Sequence, residues 1–158
     1  DDLGEINISD YKIDNVDDLS QKITETFGFL DNKSVENIGG KLYFSPMLFF
    51  KLKDNPFKLE TRKYPIDFDF PFKDSYIITI NIPQGYKVEF LPEAANIVLE
   101  NNYGSFSYII SEKQGKIQLA VNYEINTSII PSTSYEFLKN FFKMMIEKQS
   151  EKIILIKE

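Results

Sequence analysis

Period-two alternation of apolar and polar residues dominates the second half of the chain. In Tyr76-Ile77-Ile78-Thr79-Ile80-Asn81-Ile82, one face carries Tyr76, Ile78, Ile80 and Ile82, the pattern of a strand with one side on a core. Pro83 and Gly85 then supply turn chemistry. Tyr86, Val88 and Phe90 line one face of the next strand, which stops at Leu91-Pro92. Ile97-Val98-Leu99 predicts a short strand, Asn101 to Gly104 a turn, and Phe106, Tyr108 and Ile110 another inward face. After a turn at Glu112-Lys113-Gln114-Gly115, residues Ile117, Leu119, Val121, Tyr123 and Ile125 alternate without a break. That alternation places Leu119 and Val121 on a buried face, with Gln118 and Asn122 opposite. Strands recurring every 8–12 residues or so predict a sandwich or barrel.

The first half is strand-like but less regular. Ile6 and Ile8 alternate ahead of Tyr11 and Ile13, and Leu19 to Phe29 predicts a strand with Ile23, Phe27 and Phe29 on one side. Ser34 to Ile38 and Lys41 to Ser45 flank Gly39-Gly40, a two-residue hairpin signal. Pro46 to Lys53 reads as a short helix and Leu59 to Tyr64 as a further strand. One segment has a clear 3.6-residue period. Tyr135, Leu138, Phe142 and Met145 form an apolar stripe, Thr133 and Glu136 match a capping box, and Pro131 stands just upstream. Phe141 and Met144 widen the stripe beyond what one sheet face covers. Those two residues are therefore expected to stay exposed as a docking surface, unless the N-terminal strands cover them. Ile153 to Ile156 predicts a last strand. The fold expected is a mostly β, antiparallel β-sandwich of about eight to ten strands with one C-terminal amphipathic helix. It forms a single domain over residues 1–158, the strands of residues 1–42 completing the sandwich.

Composition changes this picture mainly by exclusion. The 158 residues contain no His and no Cys. Imidazole general bases, Ser-His-Asp triads, thiol nucleophiles, disulfides and Cys- or His-ligated metals are therefore ruled out. The formal net charge of −6 and a single arginine, Arg62, speak against nucleic acid and against bidentate phosphate recognition. No apolar run approaches the ~20 residues of a membrane-spanning helix. The chain opens Asp1-Asp2-Leu3-Gly4, without Met, basic n-region or apolar h-region, and reads as a mature start or a piece of something longer.

Carboxylates are the remaining candidates for chemistry. Asp67 and Asp69 flank Phe68 and would share one strand face, and glycosidases use carboxyl pairs about 5–9 Å apart. The plainer reading turns Phe68, Phe70 and Phe72 inward and leaves both aspartates in water. Asp14, Asp17 and Asp18 lack the spacing of a calcium loop and read as a solvated turn. Lys139 and Lys143 read as the wet side of the helix. The 14 Phe and 9 Tyr admit glycan stacking, although Trp, the largest stacking surface, is absent. No cofactor or metal site is expected.

Several stretches carry a family resemblance. They are Asn55-Pro56-Phe57-Lys58-Leu59-Glu60, Arg62-Lys63-Tyr64-Pro65-Ile66-Asp67-Phe68, Ile82-Pro83-Gln84-Gly85-Tyr86-Lys87-Val88-Glu89 and Leu91-Pro92. Gly104-Ser105-Phe106-Ser107-Tyr108, Tyr135-Glu136-Phe137-Leu138-Lys139-Asn140-Phe141-Phe142 and Ile146-Glu147-Lys148-Gln149 continue the series. In this order and spacing, over about residues 43–157, the chain resembles the C-terminal domain of unknown function of bacterial exported transglutaminase-like (papain-like) proteins. Many of those relatives have Gly where this chain has Asp69. The resemblance implies a periplasmic or cell-surface location and a partner in an upstream transglutaminase-like domain of the same polypeptide, where the Cys and His would lie. It implies no catalytic residue here. The leading expectation is a non-catalytic structural or interaction module with no known ligand. A glycan- or peptide-binding module is the alternative, and an Asp67/Asp69 hydrolase a distant one.

Overall fold

A computed structural model describes residues 7–31 and 33–158. They form two compact units, one up to Ser34 and one over Val35–Glu158. In the first, β1 (Asn7–Asp14) and β2 (Thr24–Leu30) pair antiparallel in a two-stranded sheet of their own. The register shifts between Ser9 and Lys12, where Asp10 has φ 54°. The acidic turn is held locally: Lys12 pairs with Asp14 at 2.8 Å, and Asp18 accepts the Ser20 amide at 3.0 Å. Ile6 lies outside the described residues.

In the second unit, ten strands and one helix follow. They are β3 (Glu36–Ile38), β4 (Lys41–Phe44), β5 (Ile66–Asp67), β6 (Phe72–Asn81), β7 (Tyr86–Phe90) and β8 (Ala95–Leu99). Then come β9 (Gly104–Lys113), β10 (Lys116–Ile125), β11 (Ile129–Ile130), α1 (Tyr135–Ser150) and β12 (Ile153–Lys157). One four-stranded sheet has the order β6-β10-β9-β8, a second β3-β4-β12-β7, and β11 pairs with β5. Every pairing is antiparallel. Gly39 and Gly40 both take positive φ, as a primed two-residue turn between β3 and β4 requires. The Pro83–Gly85 turn does not fold β7 back onto β6. It carries the chain from the first sheet to the second.

The long strands of the first sheet serve two cores. At one end, Ile117 with Ile80 and Ile110 packs on Phe44, Ile153 and Leu155 of the second sheet. At the other, Phe106, Tyr108, Val121 and Tyr123 pack on Leu138, Phe141, Phe142 and Met145 of α1. The second layer of the sandwich is thus part sheet and part helix. Leu119 is 1% exposed and Val121 fully buried, while Gln118 is exposed, as the alternation requires.

Three local expectations are corrected. Thr133 does not cap the helix. Ser132–Ser134 form a 3-10 turn, and the Ser134 hydroxyl bonds Glu100 Oε1 at 2.7 Å rather than a free helix amide. Pro46 to Lys53 holds only a 3-10 turn at Leu48–Phe50, with Leu48 at φ 50°, a conformation that cannot propagate an α-helix. Leu59 to Tyr64 is not a strand. The Leu59 carbonyl accepts from the Tyr135 hydroxyl at 3.0 Å and from Lys139 Nζ at 2.8 Å, so helix side chains take the place of a neighbouring strand.

Candidate functional site

The sequence-derived candidates do not converge. Asp67 ends β5 and Asp69 stands in the following turn at φ 63°, both exposed. Asp67 Oδ1 accepts the Asp69 backbone amide at 2.9 Å, so this carboxylate shapes its own turn. Phe68 packs on Phe57 and Phe72 beneath it, but Phe70, expected inward with them, is 66% exposed, because the turn at Asp69 breaks the strand alternation. Phe141 is not on the surface. It is 1% exposed, its ring set against Tyr123 and Phe142, while Met144 is 38% exposed. The two residues therefore do not form one patch: the sheet face accepts a wider stripe than expected, and Phe141 falls inside it. Lys143 faces Glu147 at 4.0 Å, and Lys139 is committed to Leu59.

Of the exposed aromatics, Tyr64, Phe70, Phe90 and Phe137 make no ring contact with one another, whereas Phe50 lies against Phe49 (4.4 Å) and Tyr76 (5.5 Å), and Phe27 against Phe29 (6.3 Å). The outer face of the β6-β10-β9-β8 sheet mixes Ser75, Thr79, Gln118, Asn122, Ser105 and Ser107 with exposed Ile77, Ile109 and Val98, and the Ser75 hydroxyl donates to Asn122 Oδ1 at 2.8 Å. Among the described residues, no three His, Cys, Asp or Glu side chains gather closely enough to hold a metal ion. Nor is any helix among them long and apolar enough to cross a membrane.

What the fold does create is an apolar cavity of about 290 Å³. It lies between the two sheets, against Ile80 and Asn81 of β6, Leu42 and Phe44 of β4, and Leu155 of β12. Val35, Leu48 and Pro83 complete the wall. No lining side chain is ionisable. The cavity shares Ile80 and Asn81 with β6, a ten-residue strand at the rim of its sheet. Alternation identified Ile80 as inward-facing but not as a cavity wall. Strand order is what makes β6 an edge, and the sequence does not print strand order. Nor does exposed Ile77 single out this edge, because Ile109 of β9 and Val98 of β8 are exposed on the same face.

A family model described as a domain of unknown function with a solved structure, DUF3858, matches residues 40–155. No curated protein matches the chain significantly. Among solved structures, a crystal structure described as a "putative protease" from Parabacteroides distasonis ATCC 8503 is similar, with a TM-score of 0.52 and 11% identity. The similarity covers 61% of this chain and 19% of that one, and at this identity it supports the fold alone.

Proposed function

We propose, from the premise that the chain belongs to the DUF3858 family of domains of unknown function, that it is a non-catalytic accessory module of a larger exported transglutaminase-like protein. The single observation that carries this reading is the character of the cavity. Its walls are Leu42, Phe44, Leu48, Ile80, Leu155 and three other residues, none of them able to exchange a proton. General acid–base catalysis needs a titratable group within hydrogen-bond reach of the reacting atom. Such a site binds apolar matter and does not transform it. The exposed carboxylates Asp67 and Asp69 lie outside its lining. The chain spans about a fifth of the crystallised protein it resembles, which suits a part within a larger machine. A periplasmic or cell-surface location and an upstream transglutaminase-like partner domain belong to the same proposal.

Two measurements test it. The purified chain is assayed for amine incorporation into casein and for cleavage of fluorogenic peptides, and rates equal to buffer are expected. Turnover that a single substitution abolishes would sink the reading. Sequencing the gene upstream of the Asp1 codon tests the context. A region bearing Cys and His in a papain-like arrangement is expected, and an upstream region without it would remove the transglutaminase-like setting.

A further inference from the structure

Strand β6 pairs with β10 over ten consecutive residues with no register shift and, among the described residues, has no strand on its other side. The Ile82 amide donates to the Gly115 carbonyl at 2.9 Å. Hydrogen-bonded pairs alternate with non-bonded ones along an antiparallel ladder. The pairs Ile80/Ile117, Ile78/Leu119 and Tyr76/Val121 are therefore the bonded ones, and the backbone groups of Ser75, Ile77 and Thr79 point away from the sheet. Natural edges are blunted by shortness, bulges, proline or inward-pointing charge. The rims β3, β7 and β8 are short, with three, five and five residues. Strand β6 is long, unbulged and free of proline, and its charges, Lys73 and Asp74, are confined to its start. At its other end, the inward side chain of Ile80 forms part of the cavity wall.

We propose that β6 and the cavity together form a binding site for an extended peptide. The peptide backbone adds to the sheet as a fifth strand on Ser75, Ile77 and Thr79. One bulky aliphatic or aromatic side chain of the peptide enters the cavity beside Ile80. The occupant's chemistry follows from the two halves of the site. A row of alternate unpaired N–H and C=O groups is matched by extended backbone, and by neither a glycan nor a lipid chain. A partly open apolar hollow beside that row offers a place for one side chain of such a strand. Strand addition works this way in general: main-chain bonds supply affinity, and pockets for alternate side chains supply selectivity. This goes beyond the accessory role proposed above and would hold for the chain in any protein context.

The test is a titration of the isotope-labelled full chain with a library of N-acetylated, C-amidated octapeptides. Their alternate positions are Thr, and the remaining positions vary among Ala, Val, Leu and Phe. Binding with amide shifts centred on Ser75, Ile77, Thr79 and the cavity residues is expected. Replacing the anchoring Leu or Phe of the best peptide by Ala should weaken it at least tenfold. Ile77→Pro removes one outward amide without touching the β10 ladder, so it should also weaken binding at least tenfold while the melting temperature holds. Val35→Trp, which fills the cavity from its wall, gives a second check if Ile77→Pro misfolds, and should have the same effect. No binder in the library at millimolar concentration would overturn the proposal. So would shifts elsewhere on the molecule, or binding indifferent to Ile77→Pro and Val35→Trp. Concentration-dependent pairing of β6 with a second copy that excludes all peptides would overturn it in favour of self-association.

Discussion

Tyr108 shows how a single side chain can be both well packed and poorly served. Its ring is fully buried, with Lys148 Nζ 5.4 Å from the ring centroid, yet its hydroxyl has no hydrogen-bond partner among the described residues. A buried donor without a partner costs about 1–3 kcal/mol. Tyr108→Phe is therefore expected to be neutral or to stabilise by up to about that amount, measured by denaturant unfolding. The same residue gives the molecule a pH signature. Burial pushes the Tyr108 and Tyr123 phenols well above the usual range, and the Glu151 and Asp74 carboxylates add to the shift. Both fold as neutral groups, while the unfolded phenol ionises near pH 10 or so. Their contribution is complete below that pH and is lost as pH rises above it. Melting temperature should fall above about pH 10, less so in the Tyr108→Phe, Tyr123→Phe double variant. Leu119 is the opposite case, a buried residue read correctly from alternation alone. Leu119→Ala should cost about 2–5 kcal/mol, and Gln118→Ala on the wet face far less.

At the scale of elements, alternation and helical period located the long strands and α1 because each buries one face against a continuous neighbour. The failures have a common physical origin. Residues 46–65 are held by side chain to backbone bonds from distant sequence, and no local period encodes those. Asn55 Nδ2 donates to the Lys139 carbonyl at 2.8 Å while Asn55 Oδ1 takes the Phe57 amide at 2.9 Å. Buried Gln149 is the strongest instance. Its Oε1 accepts the Leu52 amide at 3.0 Å, and its carbonyl accepts the Ser45 hydroxyl at 2.8 Å. Gln149→Ala strands the Leu52 amide and is expected to cost about 1–3 kcal/mol, with exchange at Leu52 accelerated. Gly104 marks another non-local constraint. A Cβ there would stand 2.7 Å from the Glu124 carbonyl oxygen, across the strand pair. Gly104→Ala should destabilise by about 1–3 kcal/mol, although the sequence alone suggests only a turn residue.

At the scale of the whole molecule, residues 35–158 contain both buried cores. A fragment starting at Val35 is therefore expected to fold with cooperative unfolding, tested by calorimetry; a broad, non-cooperative transition would show that residues 1–34 are needed. Sandwich class and helix were legible in the sequence. The cavity and the open rim were not, because both arise from strand order, which joins β6 to β10 and sends β7 to the other sheet. Native-state amide exchange along β6 tests that order, and the candidate site with it, most directly. The amides of Tyr76, Ile78 and Ile80 should be protected by the β10 ladder, while those of Ser75, Ile77 and Thr79 exchange at rates near those of unstructured chain. Uniform protection along the strand, or protection of the odd-numbered residues instead, would contradict an open edge at β6.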